Sequence, residues 1–116
     1  MPMTQWQARQ KPKIDAELAR IVERLRTLDP ERVILFGSMA RGDFHEDSDI
    51  DLVVVLDTTE RFIDRISRVL EVVDQVDFDI EPHVYTPSEY EELRYRIGTI
   101  AEVAEHEGKV LYQRSA

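Results

Sequence analysis

The sequence has 116 residues, about the length of one domain, and 42% of them are hydrophobic, so the chain can form a buried core without disulfides. It contains no cysteine, no apolar run long enough to cross a membrane and no signal peptide in its first residues, MPMTQWQARQKPK, and we therefore expect a cytoplasmic protein. The net charge of −9 disfavours a nucleic-acid partner, because nonspecific binding to phosphates requires clusters of basic side chains.

After a polar start, apolar residues recur at helical and then at strand spacing along the chain. We expect residues 1–12 to be a loosely ordered polar segment and residues 13–116 to form the domain. The stretch Thr86-Pro87-Ser88-Glu89 has the form of a capping box at a helix start. The pattern predicts helices over residues 13–28, 59–75, 87–96 and 97–106, strands over 33–36, 50–56 and 78–85, and a short strand or packed tail at 110–112. This order predicts an α/β fold with a small mixed β-sheet flanked by helices.

The most informative segment is VILFGSMARGDFHEDSDIDLVVVL, residues 33–56. Gly37 follows a strand and can adopt backbone angles closed to other residues, so the chain can turn sharply into a helix there. Helix N-termini favour phosphate, and we expect Gly37 and Ser38 to bind it, with Arg41 and Ser48 as further contacts. The site is not a Walker A loop, because Asp43-Phe44 stands where that motif requires Lys followed by Ser or Thr.

Two acids, Asp49 and Asp51, stand at the start of the strand predicted over residues 50–56. Side chains two apart in a strand point to the same face, with α-carbons about 6.6–6.8 Å apart. Two carboxylates on one face can bind Mg²⁺ together with substrate phosphates. A third carboxylate would allow two ions, one at the attacking oxygen and one at the leaving oxygen.

The third carboxylate has three candidates in the segment VDFDIEPHV. Asp77, Asp79 and Glu81 alternate, so in one regular strand they share a face. Asp79 lies within the predicted strand and is the first choice as a catalytic and metal-binding residue. Glu81 is the second choice and Asp77 the third. His83 alternates onto the same face as Glu81.

Gly37-Ser38, ten intervening residues and Asp49-Ile50-Asp51 resemble the signature of the DNA polymerase β-like nucleotidyltransferase superfamily. The strings GSMARGDFHEDSDIDLVVV, DFDIEPHVYTPSEYEEL and EGKVLY resemble its small prokaryotic branch, the minimal nucleotidyltransferases, over about residues 13–113. The resemblance implies a polymerase β-like core, a Gly-Ser turn that binds triphosphate, and two Asp and a third acid that bind Mg²⁺. It also implies transfer of a nucleoside monophosphate to a hydroxyl with release of pyrophosphate, ATP being a common donor.

The family also suggests a partner. The chain has no room for a separate substrate domain, so we expect a partner protein or an oligomer to present the acceptor. Small family members often pair with a helical HEPN-domain protein as antitoxin and toxin, and some attach AMP to a tyrosine of the toxin. The alternative function is a noncatalytic nucleotide-binding antitoxin or scaffold that neutralises its partner by contact.

Overall fold

The computed structural model describes residues 2–115. The elements in chain order are α1 (Gln5–Leu25), a 3₁₀ turn (Arg26–Leu28), β1 (Arg32–Phe36), α2 (Ser38–Arg41), β2 (Ile50–Val55), α3 (Phe62–Val72), β3 (Ile80–Tyr85), α4 (Pro87–Leu93), α5 (Ile100–Glu107) and β4 (Lys109–Gln113). The predicted fold class, α/β with a small mixed sheet flanked by helices, is confirmed. Within these residues no helix has both the length and the apolar surface that crossing a membrane would need.

The four strands form one mixed sheet in the order β3-β2-β1-β4. β1 is antiparallel to both of its neighbours, whereas β2 and β3 are parallel. Parallel neighbours require a crossover connection, and α3 supplies it between β2 and β3. As an interior strand, β2 has its side chains flanked by those of β1 on one side and β3 on the other.

The two faces of the sheet are covered by different helices. The amphipathic helices α1 and α3 bury their apolar stripes on one face, where the core includes Leu18, Ile21, Leu35, Leu52 and Val69. A smaller core on the other face is formed by strand residues together with α4 and α5, namely Ile34, Phe36, Val53, Val55, Tyr90, Ala101 and Ala104. The second face is therefore packed by two short helices, and it also carries the polar residues described below.

The expectation of a loosely ordered N-terminal segment is wrong for residues 5–12, which belong to α1. Thr4 and Gln7 form a capping box at its start, and the Trp6 ring packs against Phe44, with ring centroids 5.8 Å apart. Pro12 lies inside the helix without ending it. Contacts distant in sequence thus stabilise the first turns of α1.

Two further differences concern element ends. The predicted strand over 78–85 begins at Ile80, so Asp77 and Asp79 precede it. The predicted helix over 97–106 begins only at Ile100, after its N-cap Thr99, and the tail at 110–112 is part of β4. By contrast, the capping box of Thr86 and Glu89 is present, with Pro87 at the first position of α4.

Candidate functional site

The turn after β1 brings the backbone close to an acid on β2. Gly37 has φ 77° and ψ −160°, and it caps the short helix α2. In the β1–β2 ladder Phe36 pairs with Asp51, so the next residue lies over that carboxylate. A Cβ on Gly37 would lie only 2.3 Å from Asp51 Oδ2. The absence of a side chain at residue 37 is therefore what allows the turn and the acid to approach.

Two serines join the ends of the loop between α2 and β2. Ser38 Oγ donates a hydrogen bond to Ser48 Oγ over 3.1 Å, and the His45 N–H donates to Ser48 Oγ over 2.9 Å. Ser48 N–H in turn donates to His45 O over 3.0 Å. Ser38 and Ser48, both expected to contact phosphate, are thus adjacent, and the hydroxyl of Ser38 is oriented by the loop.

Arg41 lies at the end of α2 and is exposed. Its Nε donates to Asp43 Oδ2 over 3.2 Å, so the guanidinium is partly engaged. Its positive charge nevertheless reaches the acids, since it acts to lower the pKa of Asp51. The Arg41 guanidinium can therefore attract an anionic substrate without forming an ion pair with the carboxylates of the cluster.

The acids meet where β2 and β3 run side by side. Asp51 on β2 pairs with Glu81 on β3, so the two carboxyl groups lie side by side. Burial, a hydrogen bond to Glu81 that favours the protonated form, and the charges of Glu81 and Asp49 together raise the pKa of Asp51 to about 6, against a partial offset from Arg41. This cluster concentrates negative charge beside the Gly37 turn.

Asp79 is not placed as the sequence suggested. It precedes β3, and its backbone oxygen accepts a hydrogen bond from Ile50 N over 2.8 Å. Asp77 lies 4.0 Å from Lys13 Nζ in an exposed ion pair. The acid beside Asp51 is Glu81, the second choice, because β3 starts two residues later than its apolar pattern indicated. Across residues 2–115 no three His, Asp or Glu side chains are already arranged as a metal-binding group.

His83 shares the face of β3 that carries Glu81. It is half-buried, and its ring lies 5.6 Å from that of Phe36. Burial lowers the pKa of His83, with a partial offset from the charge of Glu81. The imidazole is therefore neutral at neutral pH and packs as an aromatic side chain at the inner end of the acid cluster.

The comparison with protein families identifies the domain. A family model described as "nucleotidyltransferase domain" matches residues 17–107. The chain belongs to this family. The match includes the Gly37 turn and the acids Asp49, Asp51 and Glu81. The prediction of a nucleotidyltransferase is thereby confirmed at the level of the family.

Two relatives of this nucleotidyltransferase come from Methanocaldococcus jannaschii, and both carry the provisional name protein adenylyltransferase. One is 58% identical over 26 residues, which is 22% of this chain and 26% of the relative. The other is 59% identical over 27 residues, or 23% of this chain and 27% of the relative. The matched segments thus span about a quarter of each relative.

Two solved structures share the fold. A provisionally named nucleotidyltransferase from Sulfolobus solfataricus has a TM-score of 0.70 and 21% identity, and the alignment covers 98% of this chain and 93% of that chain. A structure described as a toxin–antitoxin with AMP-PNP has a TM-score of 0.57 and 22% identity, over 84% of this chain and 73% of that chain. With the family match and the named relatives, they confirm the resemblance to minimal nucleotidyltransferases.

The close approach at Gly37 predicts an unusually costly alanine substitution. Gly37→Ala adds a Cβ 2.3 Å from Asp51 Oδ2 at a positive φ, whereas Gly98→Ala imposes a similar φ of 93° with nothing within 4 Å. We expect Gly98→Ala to lower the free energy of unfolding by about 1 kcal/mol and Gly37→Ala by about 2–4 kcal/mol. Urea denaturation of both variants measures the difference, and equal losses would show that the collision with Asp51 does not occur.

The raised pKa of Asp51 predicts a pH-dependent gain in stability for Asp51→Asn. The pKa is about 6 in the folded protein against 3.8 as the ordinary value, so folding favours the protonated form. The carboxyl group therefore costs no stability below about pH 4 and becomes destabilising as the pH rises through about 6. We expect Asp51→Asn to have a higher Tm than the natural protein at about pH 8, with the gain vanishing near pH 4.

Thermal melts followed by circular dichroism across this pH range provide the measurement. Asp47→Asn, which removes an exposed acid from the loop just before β2, is the matched control and should show no such gain. A Tm for Asp51→Asn that is equal to or below that of the natural protein at high pH would contradict the electrostatic cost assigned to this carboxylate.

Proposed function

We propose that this protein is a Mg²⁺-dependent nucleotidyltransferase that transfers AMP from ATP to a hydroxyl group of a partner protein. The observation that carries the proposal is the close approach of the Gly37 turn to Asp51, which itself pairs with Glu81 of the neighbouring strand. A phosphate-binding turn and an acidic pair lie within one small region. The family supports the reaction class, and the names of the M. jannaschii relatives support AMP and a protein acceptor.

The triphosphate is assigned to the turn. The first amides of a helix have no intrahelical acceptor, and the missing side chain of Gly37 allows phosphate oxygens to approach the backbone there. The Ser38 hydroxyl, held by Ser48, provides a further contact. Arg41 contributes positive charge at the exposed edge. ATP rather than another nucleotide is supported by the AMP-PNP of the toxin–antitoxin structure that shares the fold.

The acids suit Mg²⁺. Asp49, Asp51 and Glu81 offer only carboxylate oxygens, which are the ligands this cation prefers. Burial and the charges of Glu81 and Asp49 raise the pKa of Asp51, so a bound cation would favour its ionised form. We assign Asp49, Asp51 and Glu81 as the side chains that hold Mg²⁺, with Glu81 in place of Asp79. Bound Mg²⁺, as one ion or two, would neutralise charge on the triphosphate.

The reaction follows from these assignments. The acceptor hydroxyl oxygen forms a bond to the α-phosphorus of ATP, and the bond from that phosphorus to the leaving oxygen breaks, releasing pyrophosphate. The hydroxyl proton is assigned to Glu81, because this carboxylate is exposed at the rim of the cluster whereas Asp51 is partly buried. The turn keeps the pyrophosphate portion in place while the acceptor approaches from the open side.

The roles of the acids predict a specific pattern of activity loss. Asp49→Asn, Asp51→Asn and Glu81→Gln should each lower AMP transfer by at least about a hundredfold, because each removes a carboxylate assigned to Mg²⁺, and the cation stabilises the charge of the transition state. Asp79→Asn is the matched control and should retain most activity, since Asp79 precedes β3. Pyrophosphate release with the acceptor present provides the measurement. Loss of activity in Asp79→Asn with an active Glu81→Gln would reverse the assignment of the third carboxylate.

The acceptor is assigned to a tyrosine of a helical HEPN-type protein in the cytoplasm. The net charge of −9 disfavours a nucleic-acid acceptor. The structural likeness to a toxin–antitoxin pair supports an antitoxin role for this chain and a protein partner, as a hetero-oligomer. The cytoplasm supplies both ATP and Mg²⁺.

The acceptor assignment predicts where a label from ATP appears. The purified protein is incubated with Mg²⁺, ATP labelled in its AMP portion and the product of the neighbouring gene, and all products are analysed by mass spectrometry. We expect one or more AMP units on a tyrosine of the partner, and none with the Asp49→Asn/Asp51→Asn variant. Label on RNA or on a small molecule alone would contradict the protein acceptor. A tight complex without any label would favour the noncatalytic antitoxin.

A further inference from the structure

The first turn of α1 packs against the loop that joins α2 to β2, which we call the motif loop (residues 43–48). The rings of Trp6 and Phe44 lie 5.8 Å apart with an interplanar angle of 54°. Phe44 is only 4% exposed, so it anchors the loop in the core, and Trp6 is half-buried beside it. The first turn of α1 therefore holds in place the motif loop, which leads to Asp49 and Asp51.

The side-chain amide of Gln7 makes two different contacts at this place. Its Oε1 accepts a hydrogen bond from Thr4 N over 2.8 Å, which completes the capping box of α1. Its Nε2 donates to Phe44 O over 2.8 Å, in a partly buried position. Glutamate would serve the capping box equally well, but it has no donor for a carbonyl oxygen. The amide is therefore needed for the motif loop and not for the helix.

From Phe44 a series of hydrogen bonds continues to Ser38, at the turn that follows β1. The next residue, His45, exchanges bonds with Ser48 through its N–H and its backbone oxygen. His45 Nδ1 also accepts from Asp47 N over 3.2 Å, which closes the loop on itself. Ser48 Oγ then accepts from Ser38 Oγ. An unbroken series of contacts thus connects Gln7 with the hydroxyl assigned to the triphosphate.

We infer that Gln7 is a positioning residue for nucleotide binding: its amide fixes the motif loop, and the loop orients Ser38 through Ser48. This inference rests on the proposed function, in which Ser38 contacts the triphosphate. The helix α1 consequently has a second role beside its packing on the sheet. The Gln7 amide in its first turn thereby contributes to the affinity for ATP.

Two variants separate the loop contact from the stability of the helix. Gln7→Glu keeps an acceptor for Thr4 N and loses the donor to Phe44 O. Thr4→Ala weakens the cap, because it removes the acceptor for Gln7 N, and leaves the Gln7 amide in place. We expect Gln7→Glu to keep a Tm near that of the natural protein, and Thr4→Ala to lower it.

The first measurement is amide hydrogen exchange without nucleotide. Residues 44–48 should exchange at least about threefold faster in Gln7→Glu than in the natural protein, because opening of the loop becomes easier. In Thr4→Ala faster exchange should be confined to the first turn of α1. Unchanged exchange at residues 44–48 in Gln7→Glu would overturn the inference, whatever the affinity for ATP.

The second measurement is ATP affinity by calorimetry in the presence of Mg²⁺. Gln7→Glu should bind about fivefold more weakly, the effect of about one lost hydrogen bond, and Thr4→Ala should bind as the natural protein does. Faster loop exchange with unchanged ATP affinity would overturn the positioning role, as would an equal loss in both variants. If the natural protein itself does not bind ATP, the proposed function is contradicted, and this inference fails with it. That outcome is seen with the natural protein alone, so it is distinguishable from a failure of the inference, which appears only in the variants.

Discussion

The constraint on which the candidate site depends is the close approach of Gly37 to Asp51. The antiparallel register of β1 and β2 sets Phe36 opposite Asp51, so the chain leaving β1 must pass over a carboxylate. A Cβ at residue 37 would lie only 2.3 Å from Asp51 Oδ2, so the backbone or the carboxylate would have to move. A sharp turn, the start of α2 and the acid are therefore fixed together. The rest of the site depends on this contact, because the turn is assigned to the triphosphate and the acid to the cation.

The acids oppose folding, and the core around them compensates. Asp51 is held beside Glu81 and close enough to Asp49 for both charges to raise its pKa. On either side of the sheet, the β2 residues Leu52, Val53 and Val54 are fully buried. Their burial keeps the strand in register although Asp51 repels Glu81 on the neighbouring strand. An arrangement that costs stability and is kept by its surroundings is typical of a functional site.

Two contacts between distant residues hold the elements that carry the site. At the start of α1, Gln7 and Trp6 contact Phe44 in the motif loop. At the far end of β3, the buried Arg65 of α3 donates to Glu89 of α4 over 2.7 Å and to Val84 O over 3.4 Å. The same Glu89 accepts from Thr86 N in its capping box. The strand β3, which bears Glu81, is thus linked to α3 before it and to α4 after it.

The sequence by itself determined the elements and the motif, because these depend on local chemistry. The strand before Gly37, the alternation at Asp49 and Asp51 and the capping box at Thr86 all follow from spacings of a few residues. Only the tertiary structure decided which acid lies beside Asp51 and how far α1 extends towards the N-terminus. Glu81 rather than Asp79 lies beside Asp51 because β3 begins where it pairs with β2, a register between strands separated by a whole helix. Residues 5–12 join α1 through the local capping box of Thr4 and Gln7 and through the contacts of Trp6 and Gln7 with Phe44, which no local pattern contains.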